Sequence, residues 1–164
     1  MRILGIDPGM AIVGYSVLEY DGAEISLLHS GAIKTEPNKK DSERLLEIYK
    51  DMCTLIEKYE PEVASVEKLF FFRNQKTIIP VAQARGVIMM ALEKFSIPSF
   101  EYTPIEVKQT LTGYGRADKK EVERMVKLTL DTDDLPHLDD TIDSMAIAIC
   151  HTRQNKEIYE QAVN

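Results

Sequence analysis

Arg2-Ile3-Leu4-Gly5-Ile6-Asp7-Pro8-Gly9 opens the chain, and the fold turns on how it is read. Ile3, Leu4 and Ile6 form a short, almost unbroken apolar run, the pattern of a strand buried on both faces. Pro8 fixes φ and Gly9 permits positive φ, so the strand closes in a tight turn with Asp7 at its first position. An aspartate there is an ordinary turn residue. It becomes part of a site only if other carboxylates reach the same point, which depends on the direction of the remaining strands.

Ala11 to Tyr20 is rich in Ile, Val and Tyr and predicts a second strand, and Asp21-Gly22 is a hairpin signal. Glu24 to Thr35 follows as a third strand, with Ile25, Leu27, His29 and Ile33 expected on one alternating face and His29 in a structural role. Asp41 or Ser42 is placed to cap a helix. Leu45, Ile48, Tyr49, Met52, Leu55, Ile56 and Tyr59 recur at helical spacing up to Pro61. Val63 to Glu67 is a short fourth strand ending on a carboxylate. Two hairpin turns and one helical return make the first and fourth strands parallel, and short right-handed connections make them neighbours. Asp7 and Glu67 then end at the same edge of the sheet, where ligands of α/β proteins gather.

The second half supplies further groups. Phe70, Phe71 and Phe72 follow Glu67 in a connector; either they pack beneath the loop or one of them is exposed beside the carboxylate. Thr77 to Phe95 is a helical pattern with Pro80 expected in its first turn. Between Val81 and Leu92 only Gln83 and Arg85 are polar, so this helix is expected to be covered on two sides, by the sheet and by a second subunit. Ile97 to Tyr102 predicts a fifth strand, and Thr103-Pro104 starts a short helix carrying Lys108. Gly113-Tyr114-Gly115 is read as a hinge or turn, and Asp118 to Leu130 as another helix. After a loop with Pro136 and His137, a last helix begins near Asp139, with Ile142, Met145, Ala146 and Ile149 as its core stripe and His151 as a residue without a catalytic role. Asp140 and Asp143 share a flank of its first turn. Capping accounts for one acid in Asp139, Asp140 and Asp143, but not for Asp143, which lies inside the apolar run.

The chain of 164 residues suits one domain, taken as 1–164, with no run of membrane-span length and no signal-peptide core at its start. Cys53 and Cys150 sit among apolar neighbours, as buried thiols of a cytoplasmic protein do. A net charge of −7 argues against a protein that coats nucleic acid nonspecifically. The charge is uneven, however: Glu67 to Lys94 holds five basic residues against two acidic, and Lys108 to Lys127 six against three. Such segments are either solvated surface or a local basic face.

Asp7, Glu67, Asp140 and Asp143 are hard oxygen donors of the kind that hold Mg²⁺ or Mn²⁺. Clustered anions repel one another unless a cation bridges them, and two such ions can activate water and stabilise the leaving oxygen in phosphodiester hydrolysis. Gly5-Ile6-Asp7-Pro8-Gly9, Val66-Glu67, Gln83-Ala84-Arg85-Gly86, Val107-Lys108-Gln109 and the run from Asp140 through Asp143 to Ala148 together resemble the RuvC family of Holliday-junction resolvases, in the family's order and over essentially the whole chain. The resemblance implies an α/β, RNase H-like fold with a five-stranded mixed sheet flanked by helices on both faces, acting as a homodimer. It implies Asp7, Glu67, Asp140 and Asp143 as a catalytic tetrad binding Mg²⁺, with Asp139 an alternative to Asp140. It implies Phe70 as an aromatic inserted at the junction centre, and Lys108 and Lys119 as DNA-binding residues near the scissile phosphate, with Lys120 an alternative to Lys119. It further implies symmetric nicks in four-way junction DNA and a branch-migration motor as partner. Two rival readings stand beside it. One is a silent nucleic-acid-binding module of the same fold. The other is a phosphate-binding lobe of the sugar kinase and actin type, for which the chain lacks the second lobe.

Overall fold

The computed structural model describes residues 1–69, 75–136 and 138–155. The expected strands are present: β1 (Arg2–Asp7), β2 (Ile12–Tyr20), β3 (Ile25–Lys34), β4 (Val63–Glu67) and β5 (Ser99–Tyr102). The helices are α1 (Asp41–Tyr59), α2 (Gln75–Lys94), α3 (Pro104–Thr112), α4 (Lys119–Leu130) and α5 (Asp139–Gln154). The strands form one mixed sheet in the order β3-β2-β1-β4-β5. The hairpins make β1–β2 and β2–β3 antiparallel, and the helical crossovers make β1–β4 and β4–β5 parallel.

The sheet is buried on both faces. Leu4, Ile6, Val13, Val17, Ala64 and Val66 pack beneath α1 and α2, whereas Ile3, Leu18, Val63 and Tyr102 pack against α5, with α3 and α4 outside it. Strand alternation therefore assigns Gly5 and Asp7 of β1, and Ser65 and Glu67 of β4, to the α5 face. The register Ile6↔Val66 then sets Asp7 beside Glu67.

Four local readings are corrected. The β2–β3 register shifts between Val17 and Leu18, so that Val17 faces His29, Leu18 faces Leu27, and Leu28 is the extra residue. Ile25 and Leu27 consequently pack on the α5 side and Ile33 on the α1 side, and the single alternating face is split in two. His29 lies on the side of Ile33, bonded to the Tyr15 hydroxyl at 3.2 Å and stacked on Tyr59. α1 is capped at Lys40, not at Asp41 or Ser42; the Glu43 carboxylate accepts from the Lys40 N–H at 3.0 Å. α2 begins at Gln75, which puts Pro80 in its second turn, where its ring leaves the carbonyl of residue 76 without a helical donor. The core stripe of α5 is wider than expected: every residue from Ser144 to Thr152 is buried, because this helix is sandwiched between the sheet and α3–α4. Phe70, Phe71, Phe72 and His137 lie outside the described residues.

Candidate active site

The site forms where the carboxyl ends of β1 and β4 meet the first turn of α5. That approach needs small residues on the sheet. A Cβ on Gly14 of β2 would stand on the backbone carbonyl of Asp140, and one on Gly5 would stand on the carbonyl of Ser144. The two glycines thus let α5 lie directly on the β1–β2 pair. Ser65 Oγ on β4 donates to the Ile147 carbonyl at 2.8 Å, and Thr141 Oγ1 donates to the Gly31 carbonyl on β3 at 3.2 Å. α5 is therefore fixed to four strands, and its first turn cannot shift without breaking one of these contacts. Sequence reading missed these positioning residues. The available signal was the row of small side chains at Gly5, Ser65, Gly14 and Ser16, which alternation places on the same face as Asp7 and Glu67.

All four predicted carboxylates are brought to this edge. The Asp7 carboxyl is pushed up to about 9, first by burial and then by the charges of Glu67, Asp143 and Asp140. Glu67 is raised by burial and by Asp143, offset by a hydrogen bond with Asp7. Asp143 is also raised by burial, with Lys119 opposing. Burial and the neighbouring charges favour the protonated form of Asp7, which hydrogen-bonds Glu67, and the Lys119 ammonium lies 2.8 Å from Asp139 Oδ2 and 4.0 Å from Asp143 Oδ2. Asp139 is thus exposed and engaged with Lys119, while Asp140 lies against Gly14 and acts electrostatically on Asp7 and Glu67. That favours Asp140 over Asp139 as the fourth member. Among the described residues, no three acidic, histidine or cysteine side chains stand close enough to form a finished cation cage. The donor set nevertheless suits a divalent cation: oxygen ligands only, partly buried, with mutual repulsion that positive charge would relieve.

A cavity of about 740 Å³ opens over Glu67 and Asp143. Lys108 and Lys119 stand on its walls, with Ile105, Val107 and Gly115 beside them. Both predicted lysines therefore face the carboxylates across one opening, whereas Phe70 lies outside the described residues. His151 is a packing residue, as expected: it is fully buried, held at 2.7 Å by the Tyr102 hydroxyl, and lowered to about 4 by burial.

A mixed sheet of this order, with acids at the ends of its central parallel strands and on the helix crossing them, defines the RNase H-like class of nucleases. The family profile described as "Crossover junction endodeoxyribonuclease RuvC" matches residues 3–151. A RuvC from Caldicellulosiruptor saccharolyticus is 43% identical over 162 residues, 98% of both chains. One from Halothermothrix orenii is 48% identical over 151 residues, 92% of both chains. The structure of Thermus thermophilus RuvC in complex with a Holliday junction substrate superposes with a TM-score of 0.90 at 33% identity, covering 96% of each chain. The chain belongs to the RuvC family of crossover junction endodeoxyribonucleases.

Proposed function

We propose that this protein resolves four-way DNA junctions by paired, symmetric, metal-dependent nicks. The observation that carries this reading is the meeting of Asp7 and Glu67 with Asp140 and Asp143 beside a cavity walled by Lys108 and Lys119. Asp7, Glu67, Asp140 and Asp143 would hold the metal, Mg²⁺ with Mn²⁺ as a substitute, and two ions per site. When bound, the metal supplies a nucleophile at neutral pH and stabilises charge on the leaving oxygen. Lys108 and Lys119 draw the scissile phosphate into the cavity and counter its developing negative charge. Strand alternation and the glycine seat of α5 keep the four carboxylates aimed at that phosphate, so alignment is provided before substrate arrives.

Symmetric cutting requires two equivalent sites, and α2 supports a homodimer. Ala84, Ile88, Ala91 and Leu92 face its own core, whereas Ile79 is 66% and Met90 54% exposed, with Gln83 and Gly86 between them on the outer side. Ile88 is fully buried and Met89 half-buried, so Met90 is the outward one of the three. Phe70 would act at the crossover and a branch-migration motor would be the partner, both on the family resemblance. Among the described residues no helix is long and apolar enough to cross a membrane; a cytoplasmic location rests on the family resemblance. The test is incubation with a synthetic four-way junction and Mg²⁺, mapping the nicks. Two nicks at symmetric positions are expected. An intact junction, or cutting of linear duplex at the same rate, would refute the proposal.

A further inference from the structure

An acidic protein of net charge −7 has to concentrate its positive charge to hold a polyanion. The α3–α4 unit does so. Between Thr103 and Leu130 there are six basic residues and four acidic ones. Each acid is engaged locally. Glu106 accepts from the Thr103 N–H and hydroxyl at 2.7 Å. Asp118 and Glu121 form a reciprocal capping box, accepting at 2.9 and 2.8 Å. Glu123 pairs with Lys127 at 2.9 Å. Lys119 is held by Asp139.

The remaining cations are different. Among the described residues, Arg116, Lys120 and Arg124 are exposed and make no ion pair or side-chain hydrogen bond. Arg116 follows Gly115, which lines the catalytic cavity, and Lys120 follows Lys119, which also lines it. Lys120 and Arg124 are four apart on α4, opposite its buried stripe of Val122, Val126 and Leu130, and so share an outer face. The strip therefore starts at the rim of the site and runs away from it. Its two helical members are separated by about 6 Å along the axis, close to two nucleotide steps of about 3.4 Å on one strand of a duplex.

We infer that Arg116, Lys120 and Arg124 form a backbone-binding track for the duplex arm that leaves the cleavage site, supplying affinity to a chain whose overall charge opposes DNA. This rests on the reading of the protein as a junction nuclease. The track touches phosphates and no base edges, so it adds affinity without sequence preference. Its contribution also requires an arm long enough to reach Arg124.

The test is binding of the full chain, in EDTA so that no strand is cut, to four-way junctions with short or long arms over about 50–200 mM salt. Lys120→Gln/Arg124→Gln should lower the slope of log affinity against log salt by about 1.8, at about 0.9 per phosphate. Over that range wild type then loses roughly 12-fold more affinity than the variant. Adding Arg116→Gln should remove about 0.9 more. Wild type should prefer long arms, and the double variant should bind both alike. A control removing two charges elsewhere, Lys50→Gln/Lys58→Gln on α1, should keep the wild-type slope and arm preference. The inference is overturned if the double variant keeps them, or if the control loses as much, since the effect would then be a general field. Failure of wild type to prefer a four-way junction over linear duplex would instead refute the underlying function, and the track with it.

Discussion

Replacing Gly14 with alanine tests whether the seat of α5, and not the carboxylates alone, makes the site. The added Cβ would collide with the carbonyl of Asp140, and that atom is backbone, so no rotamer change relieves it. Carbon and oxygen pack no closer than about 3.3 Å, so α5 has to lift by roughly 1 Å at its first turn. Overpacking of this kind costs about 1–3 kcal/mol. For a chain of 164 residues that is a fall in Tm of roughly 2–12 °C. The larger effect is chemical: Asp140 and Asp143 ride on that turn, and a 1 Å misplacement of a reacting constellation costs about 100-fold in rate. Single-turnover cleavage of a four-way junction at saturating protein should therefore slow by about two orders of magnitude. Junction binding in EDTA should change little, since Lys108, Arg116, Lys120 and Arg124 lie off β2 and α5. A Gly14→Ala protein that cuts at the wild-type rate with an unchanged Tm would show that α5 is not seated as argued.

Asp7→Asn should abolish cleavage, leave junction binding intact and change the pH dependence of stability. The folded protein holds the Asp7 proton up to about 9, against an ordinary value of 3.8, so the stability linked to it is present below 3.8 and lost as pH rises through about 9. In metal-free buffer the wild-type Tm should therefore fall across this range more steeply than that of Asp7→Asn, and parallel profiles would refute the assignment. Met90→Glu should dissociate the proposed dimer, read by sedimentation, while Ile88→Glu should unfold the chain, because Ile88 is fully buried. A heterodimer of wild-type and Asp7→Asn subunits should nick one strand per binding event; resolution by both nicks would argue against one site per subunit. Lys108→Ala should reduce the salt slope of junction binding by about 0.9, as expected for one phosphate contact, and an unchanged slope would remove Lys108 from the interface.

The strands and helices were legible because their signals are local. An apolar run closed by Pro8-Gly9, the Asp21-Gly22 hairpin and the helical recurrence from Leu45 to Tyr59 each depend on neighbours a few residues away. Counting chain reversals was enough to bring Asp7 and Glu67 to one edge, and the inward position of Asp143 marked it as more than a cap. Tertiary structure decided what depends on contacts between distant segments. The extra residue at Leu28 reverses the facing of β3, yet nothing in its own alternation shows it; only pairing with β2 does. The outward side of α2 is fixed by which residues meet the sheet, so a helix apolar nearly all round could not reveal that Met90 and not Ile88 faces out. That Asp140 packs against the sheet while Asp139 is turned to solvent is set by Gly14 on one side and Lys119 on the other, both distant in sequence. Which carboxylates could meet was legible locally, because strand ends and helix turns carry them to that edge. The close approach of α5 to the sheet, which brings them to one edge, exists only once the glycines of β1 and β2 lie beneath it.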